Sequence, residues 1–105
     1  MYDIESIKAL YKGKAVKFTD HFKNRKKERS IRFSDIESAV LSGEIIEQCL
    51  DDYPLPSVLV FGYTTNGKPL HVVLGMDDAL LWLITAYFPT LDIWEADYMT
   101  RKGVD

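Results

Sequence analysis

The fold is decided by residues 57–76, SVLVFGYTTNGKPLHVVLGM, in which two apolar runs flank the dipeptide Asn66-Gly67. Asn-Gly is the strongest short hairpin signal, because a type I′ turn needs positive φ at both of its central residues. The register of such a two-residue loop predicts that His71 lies opposite Gly62. Both faces of the predicted hairpin are apolar, so we expect helices to cover both sides or a second chain to cover one, as in a homodimer.

Two more strands are predicted around the hairpin. The segment EIIEQCL, residues 44–50, precedes it, and ALLWLITAYF, residues 79–88, follows it. Each is an apolar run of strand length next to turn residues, and Pro89 ends the second because proline cannot donate to a strand ladder. The sheet is therefore expected to be an antiparallel meander of about four strands.

Three helices are predicted before the sheet. Residues 3–12 place apolar side chains at helical spacing. A second helix runs to about Arg29 and can be capped by Thr19 or Asp20, since either side chain can accept from free amides of the first turn. The third begins at SDIE, residues 34–37, whose first and last residues have the spacing of a capping box.

A further helix is predicted at the end of the chain, in DIWEADYMTRKG, residues 92–103, where Asp92 and Glu95 again have capping-box spacing. Helices, then an antiparallel meander, then a terminal helix make an α+β fold. A length of 105 residues fits one domain with one real core. We therefore expect residues 1–105 to form a single α+β domain.

Composition narrows the functional classes. Asp3 and Glu5 interrupt the first dozen residues and no window approaches 18 consecutive apolar residues, so neither a signal peptide nor a membrane span is predicted. Cys49 is the single cysteine, which makes the reducing cytoplasm the expected compartment. Two histidines and one cysteine at wide spacing match no metal signature, and we expect neither a metal nor another cofactor.

The charge is distributed unevenly along the chain. From Lys8 to Arg32 there are ten basic and two acidic residues, a local charge of +8 within a total of −3. Such an imbalance indicates a surface for a polyanion, either RNA or an acidic protein partner. The alternative is that the basic and acidic regions neutralise each other in the fold.

His21, Arg25 and Arg29 recur every four positions on the second predicted helix and share a face with Phe18 and Phe22. We therefore expect them to point toward the protein or toward a groove at its edge. An arginine there could be a structural clamp, with its stem on apolar surface and its guanidinium paired with a carboxylate of the sheet. The alternative is an anionic site, because arginine binds phosphate bidentately and histidine titrates near neutrality.

Four segments carry a family resemblance: TDHFKNRKKERSI (19–31), VLSGEII (40–46), DDYPLPSVLVFGYTTNGKPLHVV (51–73) and AYFPTLDIWEADYMTRK (86–102). Together they resemble a family of small bacterial domains of unknown function. That family is grouped by similarity with the BrnT, MqsR and RelE-like toxins, small α+β ribonucleases of toxin–antitoxin pairs. The resemblance covers about residues 17–102 and leaves residues 1–16 as an N-terminal helical extension.

The resemblance implies a set of site residues. The helix histidine and arginines of the family map onto His21, Arg25 and Arg29, and its hairpin histidine maps onto His71. In metal-independent RNA cleavage the histidines would be the catalytic acid and base. The arginines, with Tyr63, would then bind the substrate. The alternative is a non-catalytic interaction module whose basic N-terminal region binds an acidic, antitoxin-like protein.

Overall fold

The computed structural model of the protein describes residues 3–51, 55–77 and 79–103. They form three helices and five strands in the order α1 (Ile4–Lys12), β1 (Val16–Phe18), α2 (Asp20–Glu28), α3 (Phe33–Ser42), β2 (Glu44–Cys49), β3 (Ser57–Tyr63), β4 (Pro69–Asp77) and β5 (Leu80–Tyr87). The predicted α+β class is confirmed. None of the helices in the described ranges is long and apolar enough to cross a membrane.

The five strands form one sheet in the order β1-β5-β4-β3-β2. Strands β2 to β5 make the predicted antiparallel meander, and β1 adds a short edge strand parallel to β5. This fifth strand was not expected. It forms because the backbone N–H of Leu81 donates to the carbonyl of Ala15 at 2.8 Å, and because Val16 and Phe18 turn their apolar side chains toward the core.

The core lies between the helices and one face of the sheet. The sheet contributes apolar side chains at alternate positions: Val58, Val60, Leu70, Val72, Leu74, Leu81 and Leu83. Helix α3 packs directly on β3, since a Cβ added at Gly62 would lie only 1.9 Å from the carbonyl oxygen of Ala39. A glycine is thus required at this close approach.

The hairpin forms where predicted, but its loop has three residues instead of two. The N–H of Thr64 donates to the carbonyl of Lys68 at 2.8 Å, and Gly67 has a φ of 80°. This loop shifts the register by one residue, so His71 pairs with Phe61 and not with Gly62. Because side chains alternate along a strand, His71 lies on the face of the sheet opposite the helices.

The start of α3 also differs from its prediction. The helix begins at Phe33, and Asp35 caps it by accepting from the N–H of Arg32 at 3.2 Å, so the predicted capping box at residues 34–37 is wrong. Asp35 is buried and also accepts from the N–H of Thr65 at 3.3 Å. Burial alone would raise the pKa of Asp35, but the hydrogen bonds from Arg32 and Thr65 together lower it.

The predicted C-terminal helix is wrong. Residues 91–103 form turns closed by an isolated bridge between Trp94 and Arg101. The carboxylate of Asp97 accepts from the N–H groups of Met99 (2.9 Å) and Thr100 (3.0 Å), which offers this backbone an alternative to helix. Trp94, only 1% exposed, fixes the segment against the second face of the sheet. This segment thus covers part of the second face of the sheet, which we expected helices or a second chain to cover. The homodimer stays a prediction.

Candidate functional site

Helix α2 displays nearly all of its side chains at the surface. It is capped by the hydroxyl of Thr19, which accepts from the N–H of Phe22 at 3.0 Å. Phe22 is the one buried residue of the helix, and its ring packs 5.5 Å from that of Phe18. A helix with so narrow an apolar face contributes little to the core. Its basic side chains are therefore the main feature that it presents.

His21 and Arg25 lie together on the exposed part of α2. They line a shallow concavity with Asn24, Lys27 and Glu28. Arg25 Nη1 is 3.3 Å from Glu28 Oε1, an exposed pair one turn apart. Such pairs contribute less than about 1 kcal/mol. Of the two predicted directions, toward the protein or toward a groove at its edge, the second describes His21 and Arg25, which are exposed and line this concavity.

Arg29 is attached to the sheet, but not through a carboxylate. Its Nη1 donates to the hydroxyl of Thr85 at 3.2 Å and to the carbonyl of Ala86 at 2.8 Å. The predicted clamp between helix and sheet is therefore present, with neutral partners in place of an acidic one. Among the described residues no carboxylate forms an ion pair with Arg29, so its positive charge is not neutralised locally.

His71 is completely buried, with both ring nitrogens hydrogen-bonded. Nε2 lies 2.7 Å from the carbonyl oxygen of Tyr98 and therefore donates to it, because a carbonyl can only accept. Nδ1, 3.2 Å from the hydroxyl of Tyr87, then accepts from that group. Burial lowers the pKa of His71, and the hydrogen bond to Tyr98 opposes this shift only in part. The ring is held as one neutral tautomer out of contact with solvent.

Strand β5 contacts two of the predicted site residues. The hydroxyl of Tyr87 donates to His71, and Thr85 and Ala86 of the same strand hold Arg29. Burial raises the pKa of Tyr87, and the positive charges of Arg101 and Arg29 oppose that shift. The structure thus brings Arg29 and His71 to the same end of β5. Arg25 and His21 lie one and two helical turns farther along α2, about 6 and 12 Å along its axis.

Tyr63 is placed elsewhere. It lies on β3, two strands away from the β5 residues that hold Arg29. Its side chain is 47% exposed and its ring is 5.3 Å from that of Phe61. The structure therefore does not add Tyr63 to the row on α2.

Sequence reasoning did not identify the residues that surround His71. Arg101 makes a two-point ion pair with Glu47 at 2.6 and 3.0 Å, and its guanidinium carbon lies 4.7 Å from the centre of the Trp94 ring. No local pattern signals this surrounding, because the contacts join β2, β4 and β5 with the C-terminal turns across long separations in the chain. Within the described ranges, no group of three or more histidine, cysteine, aspartate or glutamate side chains is placed to hold a metal ion.

A family model for a domain of unknown function, DUF4258, matches residues 18–88, well over half of the chain. The chain belongs to the DUF4258 family. This match confirms the family of small domains of unknown function that the sequence resembles. The DUF4258 region contains α2, α3 and strands β2 to β5, and leaves α1 outside. No curated protein and no solved structure matches the chain.

Proposed function

We propose that this DUF4258 protein is a toxin-like domain that binds RNA by holding its sugar-phosphate backbone along α2. The observation that carries the proposal is the row of His21, Arg25 and Arg29 on a helix with one buried residue. Arg25 has a single exposed carboxylate neighbour, and Arg29 has neutral partners. Lys23 and Lys27 add exposed positive charge to the same helix. Positive charges in the last turn of a helix also interact favourably with the helix dipole. That effect is confined to the last turn and does not account for His21 and Lys23 near the start of α2.

The geometry of the row suits a chain of phosphates. Residues four apart on a helix repeat about every 6 Å along its axis and share one face. Guanidinium groups bind phosphate through paired N–H donors. The bonds to Thr85 and Ala86 use Nη1 of Arg29 and leave its Nε and Nη2 without a hydrogen-bond partner among the described residues. Contacts of this kind position a nucleic acid without reading its sequence.

A cytoplasmic location, where RNA is present, is part of this proposal. The free, exposed thiol of Cys49 supports it, because such thiols are usual in a reducing environment.

The binding proposal is tested with a fluorescently labelled single-stranded RNA and fluorescence anisotropy. The variant Arg25→Ala/Lys27→Ala removes two positive charges from α2, and Lys68→Ala/Lys102→Ala removes two exposed charges outside it. We expect the α2 variant to weaken RNA binding roughly tenfold or more, since each lost phosphate contact weakens binding uniformly across sequences. The control variant should change the affinity less than about threefold.

Two results would overturn the binding proposal. One is an equal loss of affinity in both variants, which would mean that only total charge matters. The other is tight binding of labelled polyglutamate in place of RNA, which would favour the interaction module with an acidic protein partner.

The toxin-like part of the proposal concerns His21. Because His71 is buried with both nitrogens occupied, we assign the acid or base role toward RNA to His21. The role that we assign to His71 is to hold the hydroxyl of Tyr87 in place through their hydrogen bond. Induced expression in a bacterial host is expected to arrest growth and cleave RNA with the wild type, but not with His21→Ala. Cleavage that survives in a folded His21→Ala variant would contradict this assignment.

A further inference from the structure

A second concavity lies between α1, β1 and α3, on the helical side of the sheet. Its walls are the aromatic rings of Tyr11, Phe18 and Phe33, and its polar lining is Lys14, Ser34 and Glu37. The volume is about 400 Å³, within the range of small-ligand sites. Tyr11 and Lys14 lie outside the DUF4258 match, so the extension and the family domain build this pocket together.

The aromatic walls are suited to a flat ring that stacks on them. Phe33 is 46% exposed although it is a large apolar side chain. The rings of Phe18 and Phe33 meet edge to face, with centres 4.9 Å apart. Tyr11 closes the inner side and is 7% exposed. Exposed aromatic rings beside positive charge are the usual platforms on which the bases of single-stranded nucleic acids stack.

The polar lining can distinguish one base from another. The carboxylate of Glu37 is an acceptor only, and it is the acidic group that lines this pocket. Burial raises the pKa of Tyr11 to about 12, and the charge of Glu37 adds to that shift. The Tyr11 hydroxyl therefore stays protonated. A carboxylate accepts from the exocyclic amino group of a base. Uracil has no such group, and its one ring donor, N3–H, is flanked by two carbonyl oxygens that repel a carboxylate.

The pocket also adjoins the surface of α2. Nζ of Lys26, a residue of that helix, lies 4.1 Å from the centre of the Phe33 ring. The same ammonium group is 3.4 Å from the carbonyl of Ile31, which it can donate to. Phe33 is therefore in contact with both the pocket and the basic helix. Lys26 thus places one positive charge of α2 beside the pocket, where a phosphate next to the bound base could contact it.

We infer that this pocket binds one nucleobase of the RNA, a base with an exocyclic amino group, by stacking on Phe33 and donating to Glu37. The identity of the ligand rests on the proposed function, whereas the pocket itself does not. In this arrangement α2 provides affinity for any RNA strand, and the pocket provides preference for bases with an exocyclic amino group over uracil.

The test compares labelled hexamers of adenylate, cytidylate and uridylate by fluorescence anisotropy. The wild type is expected to bind the adenylate or cytidylate hexamer roughly tenfold more tightly than the uridylate hexamer. Phe33→Leu keeps an apolar side chain without a stacking face, and Glu37→Gln removes the carboxylate. Both should abolish the preference. The matched controls Phe88→Leu and Glu5→Gln alter another exposed aromatic and another exposed acid, and should keep it.

A second measurement separates this inference from the proposed function. NMR titration with cytidine and uridine monophosphates follows the ring signals of Phe33 and Tyr11 directly. We expect cytidine monophosphate to shift them more than uridine monophosphate. Equal hexamer affinities, or a preference unchanged in both pocket variants, would overturn the pocket inference while binding along α2 still held. Ring shifts with mononucleotides but no binding of any hexamer would instead overturn the proposed function and reassign the pocket to a free nucleotide.

Discussion

The guanidinium of Arg29 donates a hydrogen bond to the carbonyl oxygen of Ala86 at 2.8 Å and so attaches the end of α2 to β5. The second bond, to Thr85 Oγ1 at 3.2 Å, comes from the same nitrogen. Hydrogen bonds from a charged donor contribute about 1.5 to 3 kcal/mol each when buried, and less at the surface. We expect Arg29→Ala to lower the free energy of unfolding by about 2 kcal/mol in urea denaturation.

Arg25→Ala is the matched control for that substitution, because it removes the same side chain one turn earlier. Its partner Glu28 is exposed, so the expected loss is below about 1 kcal/mol. Equal losses for the two variants would show that the bonds to β5 do not stabilise the fold.

The burial of His71 predicts a dependence of stability on pH. Burial lowers its pKa from the ordinary value of 6.5, so the unfolded chain binds a proton more readily than the folded chain. The stabilisation is therefore complete above about pH 6.5 and is lost as the pH falls toward the lower pKa of the folded state. Urea midpoints between pH 5 and pH 8 measure this loss, and NMR titration of the His71 ring measures its pKa.

The control for the pH dependence is His21→Gln, which removes the exposed histidine and should leave that loss unchanged. His71→Gln should remove the part of the pH dependence above about pH 5. A His71 signal that titrates at or above 6.5 in the folded protein would contradict this account.

Gly62 is predicted to be intolerant of any side chain. A methyl group there would lie 1.9 Å from the carbonyl oxygen of Ala39 and 2.8 Å from its Cα, so α3 would have to move away from β3. We expect Gly62→Ala to cost about 3 kcal/mol of stability, measured by thermal or urea unfolding. Gly13→Ala is the control, since its added Cβ would be 3.4 Å from the nearest atom, an ordinary contact. Similar stabilities of the two variants would show that α3 does not pack this closely.

Ser30 offers a stabilising substitution. It follows α2 with a φ of 58°, and Ile31 donates back to the carbonyl of Lys26 at 2.8 Å, as in a Schellman motif. A left-handed conformation costs a non-glycine residue about 1 to 2 kcal/mol, and glycine avoids this cost. Glycine also makes the unfolded chain more flexible, which offsets part of the gain in stability. We expect Ser30→Gly to raise the free energy of unfolding by about 1 kcal/mol. A loss of stability would mean that the serine side chain makes a compensating contact.

Local signals predicted the elements of this fold better than their tertiary relations. The cap at Thr19, one of the two predicted candidates, depends only on neighbouring residues, and the structure contains it. The hairpin loop at Asn66-Gly67 can contain two or three residues. The loop length sets the register of β3 and β4, and so decides whether His71 pairs with Gly62 or with Phe61. The predicted C-terminal helix does not form, because the side chain of Asp97 competes for the backbone N–H groups and Trp94 packs against the sheet.

For the candidate site, too, the sequence predicted the local arrangement of residues but not their contacts with the sheet. Helical spacing placed His21, Arg25 and Arg29 in one row, but it could not show that Arg29 alone reaches the sheet. Its partners, Thr85 and Ala86, lie on β5, more than fifty positions away in the chain. Contacts at that separation depend on the packing of α2 against β5 and leave no periodic pattern in the sequence.

The salt dependence of RNA binding tests the central claim most directly. For single-stranded RNA the logarithm of the association constant falls with the logarithm of salt concentration by about 0.7 for each phosphate that the protein neutralises. If Arg25 and Lys27 each contact a phosphate, Arg25→Ala/Lys27→Ala should reduce the magnitude of that slope by about 1.4 relative to wild type, and Lys68→Ala/Lys102→Ala should leave it unchanged. A slope that is the same in all three proteins would contradict binding of RNA along α2.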